Sequence, residues 1–435
     1  MLVTLFSLVF LNRLPFAANG AATAAKAAMF ATGLCFKYAA AVSVAIAGRR
    51  LAPDRLRKMA SAWRQDWIMI VIHIGLAKSG STSIQSFLSV NEEALRRLSV
   101  DYPPVGRQKR KDHHNFVSEL KGRKNFDPTL GTLSHLKEYW RANTFETMII
   151  SSEIFEKLAV TQIEYLGEIL GELHHTFRII LIVRDLIAIL PSSYAQKVRY
   201  GLKTYDFDAF FDERIAETRV NYFETAKGWA EVFGWENLRV RVLDSGHLIN
   251  GDLIDDFLTT ADLNPSDPRL HSLPRPGRFN EANGWKMLEA TRALYGDRHG
   301  LDSRHPLAIS VASAKRKYAR KGIERAALEV GDRWGWTKDK GRYLTRPQAQ
   351  RSLDIYQTAL FALNDHLTEK LPLPLDLDAR GFVEREFLPD ATEIPAEELR
   401  EFYDEVGARL AEQRDLAKAD RRNQRAVSTA RGSVA

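Results

Sequence analysis

The segment that most restricts how this chain can fold runs from Ile68 to Leu98. An apolar stretch, Ile68 to Ile74, leads at once into a glycine-rich turn, Gly75 to Ser83, and then into Ile84, Phe87, Leu88, Leu95 and Leu98 at helical spacing. A continuous apolar run of this kind reads as a central parallel strand covered on both faces. A small-residue turn from such a strand into a helix leaves unpaired backbone N–H groups at the helix N-terminus, where the dipole favours an anion. Gly75 and Gly80 let the backbone wrap closely around a phosphate, while Ser79, Ser81, Thr82 and Ser83 add hydroxyl donors.

The strand-then-helix alternation continues downstream. Met148 to Ile150 form a second short strand ending in Ser151-Ser152-Glu153, and Thr161 with Glu164 reads as a capping box ahead of Ile163, Leu166, Leu170 and Leu173. Arg178 to Val183 form a third strand ending in Arg184-Asp185. Leu238 to Leu243 alternates and is expected nearer the sheet edge. Beyond Pro347, Leu353, Tyr356, Leu360, Leu363 and Leu367 mark a long helix. The pattern predicts an α/β, P-loop-like three-layer fold: a central, mostly parallel sheet flanked by helices, with helical additions towards the C-terminus. Functional groups are then expected at the carboxyl ends of the strands.

Charge divides the 435 residues into three parts. Residues 1–68 carry nine Lys/Arg and two Asp, and residues 414–435 carry six and two, so although the chain is +7 overall, residues 69–413 sum to −4. The basic charge that would suggest nucleic-acid binding is in the ends, and no nucleic-acid partner is expected. Residues 69–413 are read as the α/β domain, with a helical insert near 300–345 whose cluster Lys315, Arg316, Lys317, Arg320, Lys321 and Arg325 is either a solvated face or a basic wall beside a cleft. The polar tail from Arg414, without aromatic residues, reads as disordered. Residues 27–48 hold Lys37 as their only charge and approach the length of a membrane helix, but alanine dominates them. A membrane anchor with its downstream domain on the cytoplasmic face, a transit-like segment and an unfolded extension ahead of Met69 are all open readings. With Cys35 the single cysteine, no intramolecular disulfide and no multi-thiolate zinc site can form, and a cytoplasmic location is expected.

Gly75 to Gly80 matches the first half of a nucleoside-triphosphate-binding loop, G-x-x-x-x-G, but Ser81 stands where its lysine should be; Lys78 lies inside the loop instead. In that register Ala77-Lys78-Ser79-Gly80-Ser81-Thr82 resembles the phosphosulfate-binding loop of sulfotransferases that use PAPS (3′-phosphoadenosine 5′-phosphosulfate), with Ala77 in place of the usual proline. A second motif, Val183-Arg184-Asp185 with Ser192 eight residues after Arg184, is similar to the family's 3′-phosphate clamp, with Leu186 replacing a common proline. A separate anion clamp suits PAPS, because guanidinium recognises phosphate bidentately. The resemblance runs from about Ile68 to Leu263 and includes Tyr222, Trp229 and Phe233-Gly234; Arg278-Phe279-Asn280 is a possible further nucleotide loop.

The resemblance implies that Lys78, Ser79, Gly80, Ser81, Thr82, Ser83, Arg184 and Ser192 hold PAPS, with no metal, and that the sulfuryl group goes to a hydroxyl of a small-molecule or glycan acceptor. In-line displacement at sulfur needs positive charge on the leaving phosphate, a base for the acceptor and exclusion of water. Lys78 is the expected cation. Glu153 ranks first as base, since it ends the strand where related cytosolic sulfotransferases carry a catalytic histidine; His113 and His114 rank next, where glycan sulfotransferases place a base soon after the first helix. A helix-cap or ion-pair role for Glu153, and a solvated-loop role for the histidines, stay open. Two other functions also stay open: a kinase with Asp185 or Glu153 holding Mg²⁺, and a non-catalytic nucleotide- or anion-binding protein.

Overall fold

In a computed structural model of the chain, the structure describes residues 69–432, apart from 109–110, 144, 173–175, 204, 217–221, 278–283, 297–306, 309–310, 312–316, 339–342, 375 and 379–393. The readings made for 1–68, including the 27–48 segment, and for Arg278-Phe279-Asn280 lie outside the described residues. The elements, in chain order, are β1 (Met69–Gly75), α1 (Ser81–Val90), α2 (Glu92–Arg96), β2 (Val100–Asp101), α3 (His114–Leu120), α4 (Leu133–Ala142), β3 (Thr147–Ser151), α5 (Val160–Gly171), β4 (Thr176–Val183), α6 (Leu186–Arg199), α7 (Phe207–Ala216), α8 (Tyr222–Phe233), β5 (Leu238–Val242), α9 (Leu253–Thr260), α10 (Pro268–His271), α11 (Trp285–Tyr295), α12 (Lys317–Arg333), α13 (Arg346–His366) and α14 (Ala396–Gly432).

The five strands form one sheet in the order β2-β3-β1-β4-β5, and every pairing is parallel. The expected α/β class is therefore the observed one. β5 is an edge strand, as its alternation predicted, and the other edge is the two-residue β2, too short to leave a periodic signal.

The period of two along each buried strand splits its side chains between two cores. Ile70, Ile72 and Ile74 join Met148, Ile150, Ile179, Leu181 and Val183 under α4, α5, α6, α8 and α13. On the other face Val71, Ile149, Ile180 and Ile182 meet Ile84, Phe87 and Leu88 of α1 and Ile254, Phe257 and Leu258 of α9. Each fully buried aliphatic or aromatic side chain contributes about 1.5–3 kcal/mol. Sheet plus two helical layers gives the three-layer architecture. A further core joins α11, α12 and α14 through Met287, Leu294, Ile323, Val330, Phe402 and Tyr403.

Two local readings change. Helix α5 begins at Val160, ahead of Thr161, and the Gln162 side chain accepts the Ala159 N–H, so the Thr161–Glu164 capping box does not form. The polar tail continues α14 as far as Gly432. Its Ala, Arg, Lys and Gln residues are strong helix formers, and no proline interrupts them. In the basic insert, Arg325 points to solvent and pairs with Glu329 one turn on at 3.0 Å, as a solvated face would. Among the described residues no helix is long and apolar enough to cross a membrane.

Candidate active site

Because β1 is central and all strands are parallel, the chain leaves β3, β1 and β4 at the same end of the sheet. Three segments meet there: Ser152-Glu153 after β3, the Gly75–Gly80 loop after β1, and Arg184 after β4. Gly75 and Gly80 both need to be glycine, with φ of 106° and 83°. A Cβ on Gly75 would lie 2.9 Å from the Glu153 backbone, and one on Gly80 would lie 2.3 Å from Leu253 Cδ2.

The loop is shaped from within. Ser79 N–H and Ser81 Oγ both donate to the Leu76 carbonyl, at 3.2 and 3.1 Å, and Ala77 N–H donates to Glu156 Oε2 at 3.2 Å. The N–H groups of Lys78, Gly80, Ser81 and Thr82 find no acceptor among the described residues. The Ser79 hydroxyl is buried without a partner there. Thr82 is exposed and Ser83 half-buried in the first turn of α1. Successive unpaired N–H groups at a helix N-terminus form an anion cradle.

On the β4 side of the loop the groups are cationic. Arg184 Nη1 donates to the Lys78 carbonyl at 3.0 Å, so the guanidinium is fastened to the loop itself, and the Tyr222 hydroxyl donates to the Arg184 carbonyl at 2.8 Å. Burial, then the charges of Arg199 and Arg184, lower the pKa of Lys78, with Glu153 opposing them. Burial likewise lowers Arg184. Ser192 is half-buried on α6, and Arg199 stands two turns beyond it, near the same helix face, paired with Glu324 of α12 at 3.0 Å.

On the β3 side sits an acid–base pair. His113 N–H donates to the Ser151 carbonyl at 2.9 Å and its Nδ1 accepts from Ser151 N–H at 3.2 Å, fastening the start of α3 to the end of β3. Its Nε2–H donates to the Pro103 carbonyl at 3.0 Å, and burial lowers its pKa to about 3, so His113 is a neutral structural staple. The next residue is thereby aimed at the site. His114 Nε2 lies 3.3 Å from Glu153 Oε1, while its Nδ1 is 3.0 Å from Asp112 Oδ1 and 2.9 Å from Ser152 Oγ. Burial opposes protonation of His114, but the hydrogen bond and charge of Glu153, with Asp112, outweigh it, and its pKa is raised above the ordinary 6.5. For Glu153, burial pushes the pKa up, yet His114 and a 2.8 Å hydrogen bond from Gln85 Nε2 hold it at about 2. A carboxylate held that low is a weak base; the imidazole it supports is the stronger one near neutral pH.

Three residues ranked in the sequence as alternative bases are thus parts of one unit. Sequence reasoning missed Gln85, Asp112 and Arg199. Arg199 had a readable signal, seven residues after Ser192 in one helix; Gln85 had only its place one turn into the helix after the loop. The two carboxylates available for magnesium are both engaged: Asp185 Oδ1 caps α6 by accepting the Ile187 N–H at 2.7 Å, and Glu153 is paired as above.

No family model matches the chain, and no curated protein matches it. A crystal structure of a sulfotransferase from Alicyclobacillus acidocaldarius is similar over 57% of this chain and 98% of that one, at 15% identity and a TM-score of 0.31.

Proposed function

We propose that the protein is a PAPS-dependent sulfotransferase that acts on a hydroxyl, of a carbohydrate or glycolipid, in the cytoplasm. One observation carries the reading: a phosphate-type cradle with Lys78 and Arg184 on one flank and a His–Glu pair on the other, gathered at the carboxyl ends of the neighbouring strands β3, β1 and β4. PAPS fits the residues present, since it brings two separate anions to a site with a backbone cradle and a separate arginine; when bound it supplies an electrophilic sulfur and a phosphate leaving group. The free N–H groups of Lys78, Gly80, Ser81 and Thr82, with the hydroxyls of Thr82 and Ser83, hold the phosphosulfate end. Arg184 and Ser192 hold the 3′-phosphate. His114, its Nε2–H donating to Glu153, takes the acceptor's proton on Nδ1 as the acceptor oxygen bonds to sulfur, the acceptor hydroxyl replacing the Ser152 and Asp112 contacts at that nitrogen. Lys78 balances the charge left on the phosphate oxygen when its bond to sulfur breaks, and no metal is required for that balance. The choice of carbohydrate or glycolipid rests on the resemblance to glycan sulfotransferases.

Calorimetric titration of the full chain with 3′,5′-ADP and with 5′-AMP, with and without Mg²⁺, tests the reading. Tight, metal-independent binding of 3′,5′-ADP and much weaker binding of 5′-AMP is expected. Equal or absent binding overturns it, and a strict magnesium requirement would favour a kinase.

A further inference from the structure

Behind the acid–base pair lies a buried column of polar groups that the reaction does not touch. Gln85, only 5% exposed, points its amide nitrogen at Glu153 Oε2 at 2.8 Å and at Ser151 Oγ at 3.4 Å. Ser151 Oγ therefore accepts from Gln85 and donates its own hydrogen to His73 Nδ1, 2.7 Å away. That bond leaves the His73 proton on Nε2, which is buried without a hydrogen-bond partner among the described residues, and the ring lies T-shaped to that of Phe257 at a centroid distance of 5.6 Å. Desolvation keeps His73 neutral, with a pKa of about 4, which agrees with this direction of donation. The chain of bonds has one consistent sense: the amide nitrogen faces the carboxylate, because a carbonyl oxygen there would repel it.

We propose that Gln85 is a positioning residue for the proposed base: by holding Glu153 Oε2 it keeps Glu153 Oε1 directed at His114, and so couples the base to the helix whose first turn forms the anion cradle. The inference rests on the sulfotransferase reading for its catalytic consequence, though not for the geometry. Glu153 has two oxygens and a rotatable side chain; Gln85 fixes one oxygen and thereby the other. Because Gln85 stands on α1 one turn after Ser81, a shift of that helix moves the cradle and the carboxylate together. The titratable groups facing the pair are Asp112 from the loop before α3, Lys157 after β3, and Lys78, Glu156 and the neutral His73 around the carboxylate.

The test compares the full-length wild type with Gln85→Met, which keeps the length and removes the donor, and Gln85→Asn, which keeps the amide and is one methylene too short. Imidazole NMR titration of His114 and steady-state sulfuryl transfer are measured on each, with thermal melting as the folding control. Both variants are expected to lower the His114 titration midpoint towards its ordinary value and to lower kcat about tenfold, with the KM for PAPS and the affinity for 3′,5′-ADP unchanged. An unchanged or raised His114 midpoint in a folded variant overturns the proposal, as does full retention of kcat. If the wild type transfers no sulfuryl group, the functional reading fails on its own, and the His114 titration still decides whether Gln85 orients Glu153. Should Gln85→Met not fold, Gln85→Asn carries the same two measurements.

Discussion

The two flanks of the β1 loop are built on opposite principles. Towards β3, each charge has its counterpart: His114 lies between Asp112 and Glu153, and Glu153 between His114 and Gln85. Towards β4, Lys78 meets the charges of Arg184 and Arg199, which depress its pKa after burial has done so and are opposed by Glu153; Arg184 itself lies near Asp185, and Arg199 is paired with Glu324. A buried network of hydrogen-bonded charges holds the His114 imidazole, the proposed base, in one geometry. Cations that repel one another beside unpaired N–H groups gain further stabilisation when an anion arrives, which is what the proposed function asks of this flank.

The sharpest way to break this contrast is Lys78→Ala, which should lower kcat roughly a thousandfold, about 4 kcal/mol, since it removes the charge on the leaving oxygen; single-turnover transfer measures it. Glu153→Gln should cost roughly a hundredfold and also move the pH profile. His114 must be neutral to accept a proton, so the wild-type rate should rise with pH through a midpoint above 6.5, and in the variant, where burial works with less opposition, that midpoint should fall. Unchanged transfer in Glu153→Gln would remove the pair from the mechanism.

The satisfied flank also sets acid stability. His73 is held neutral by burial, its pKa lowered from 6.5 to about 4, so the unfolded chain binds more protons over that interval. Stability should therefore be complete above pH 6.5 and fall by about 3 kcal/mol as the pH drops to about 4. His113 adds to the same limb down to about 3. Urea unfolding at stepped pH checks the slope, which His73→Gln should flatten.

On the cationic flank, Arg184→Ala should weaken 3′,5′-ADP by about 2 kcal/mol, roughly thirtyfold, and leave 5′-AMP nearly unaffected. Arg199→Gln should have the smallest effect, under about 1 kcal/mol for a partly solvated charge already paired with Glu324, seen as a shallower salt dependence of binding. A loss at Arg199 as large as that at Arg184 would make it a direct phosphate ligand.

Much of this was legible in the order of residues. The strands β1, β3, β4 and β5, the loop with its displaced Lys78, and Arg184 at the end of β4 are all carried by local pattern: apolar runs, glycine spacing and a charge at a strand end. Local pattern also misled. Thr161 and Glu164 have the right spacing for a cap, but the helix starts one residue too early for them; the tail from Arg414 has the composition of a disordered segment and the propensity of a helix. The base was legible only as a set of names. Glu153, His113 and His114 were alternatives because nothing in the sequence says that His114 and Glu153, 39 positions apart, touch.

What the sequence determined by itself, then, is the sheet and the cradle, because strand burial, glycine conformation and helix N-termini act over a few neighbouring residues. Only the tertiary structure decided the division of labour: His113 as a staple, His114 as the supported imidazole, Glu153 as its counter-charge and Gln85 behind it. Those roles depend on parallel strand order and on which nitrogen or oxygen meets which partner, and both are set by packing across the sheet rather than along the chain.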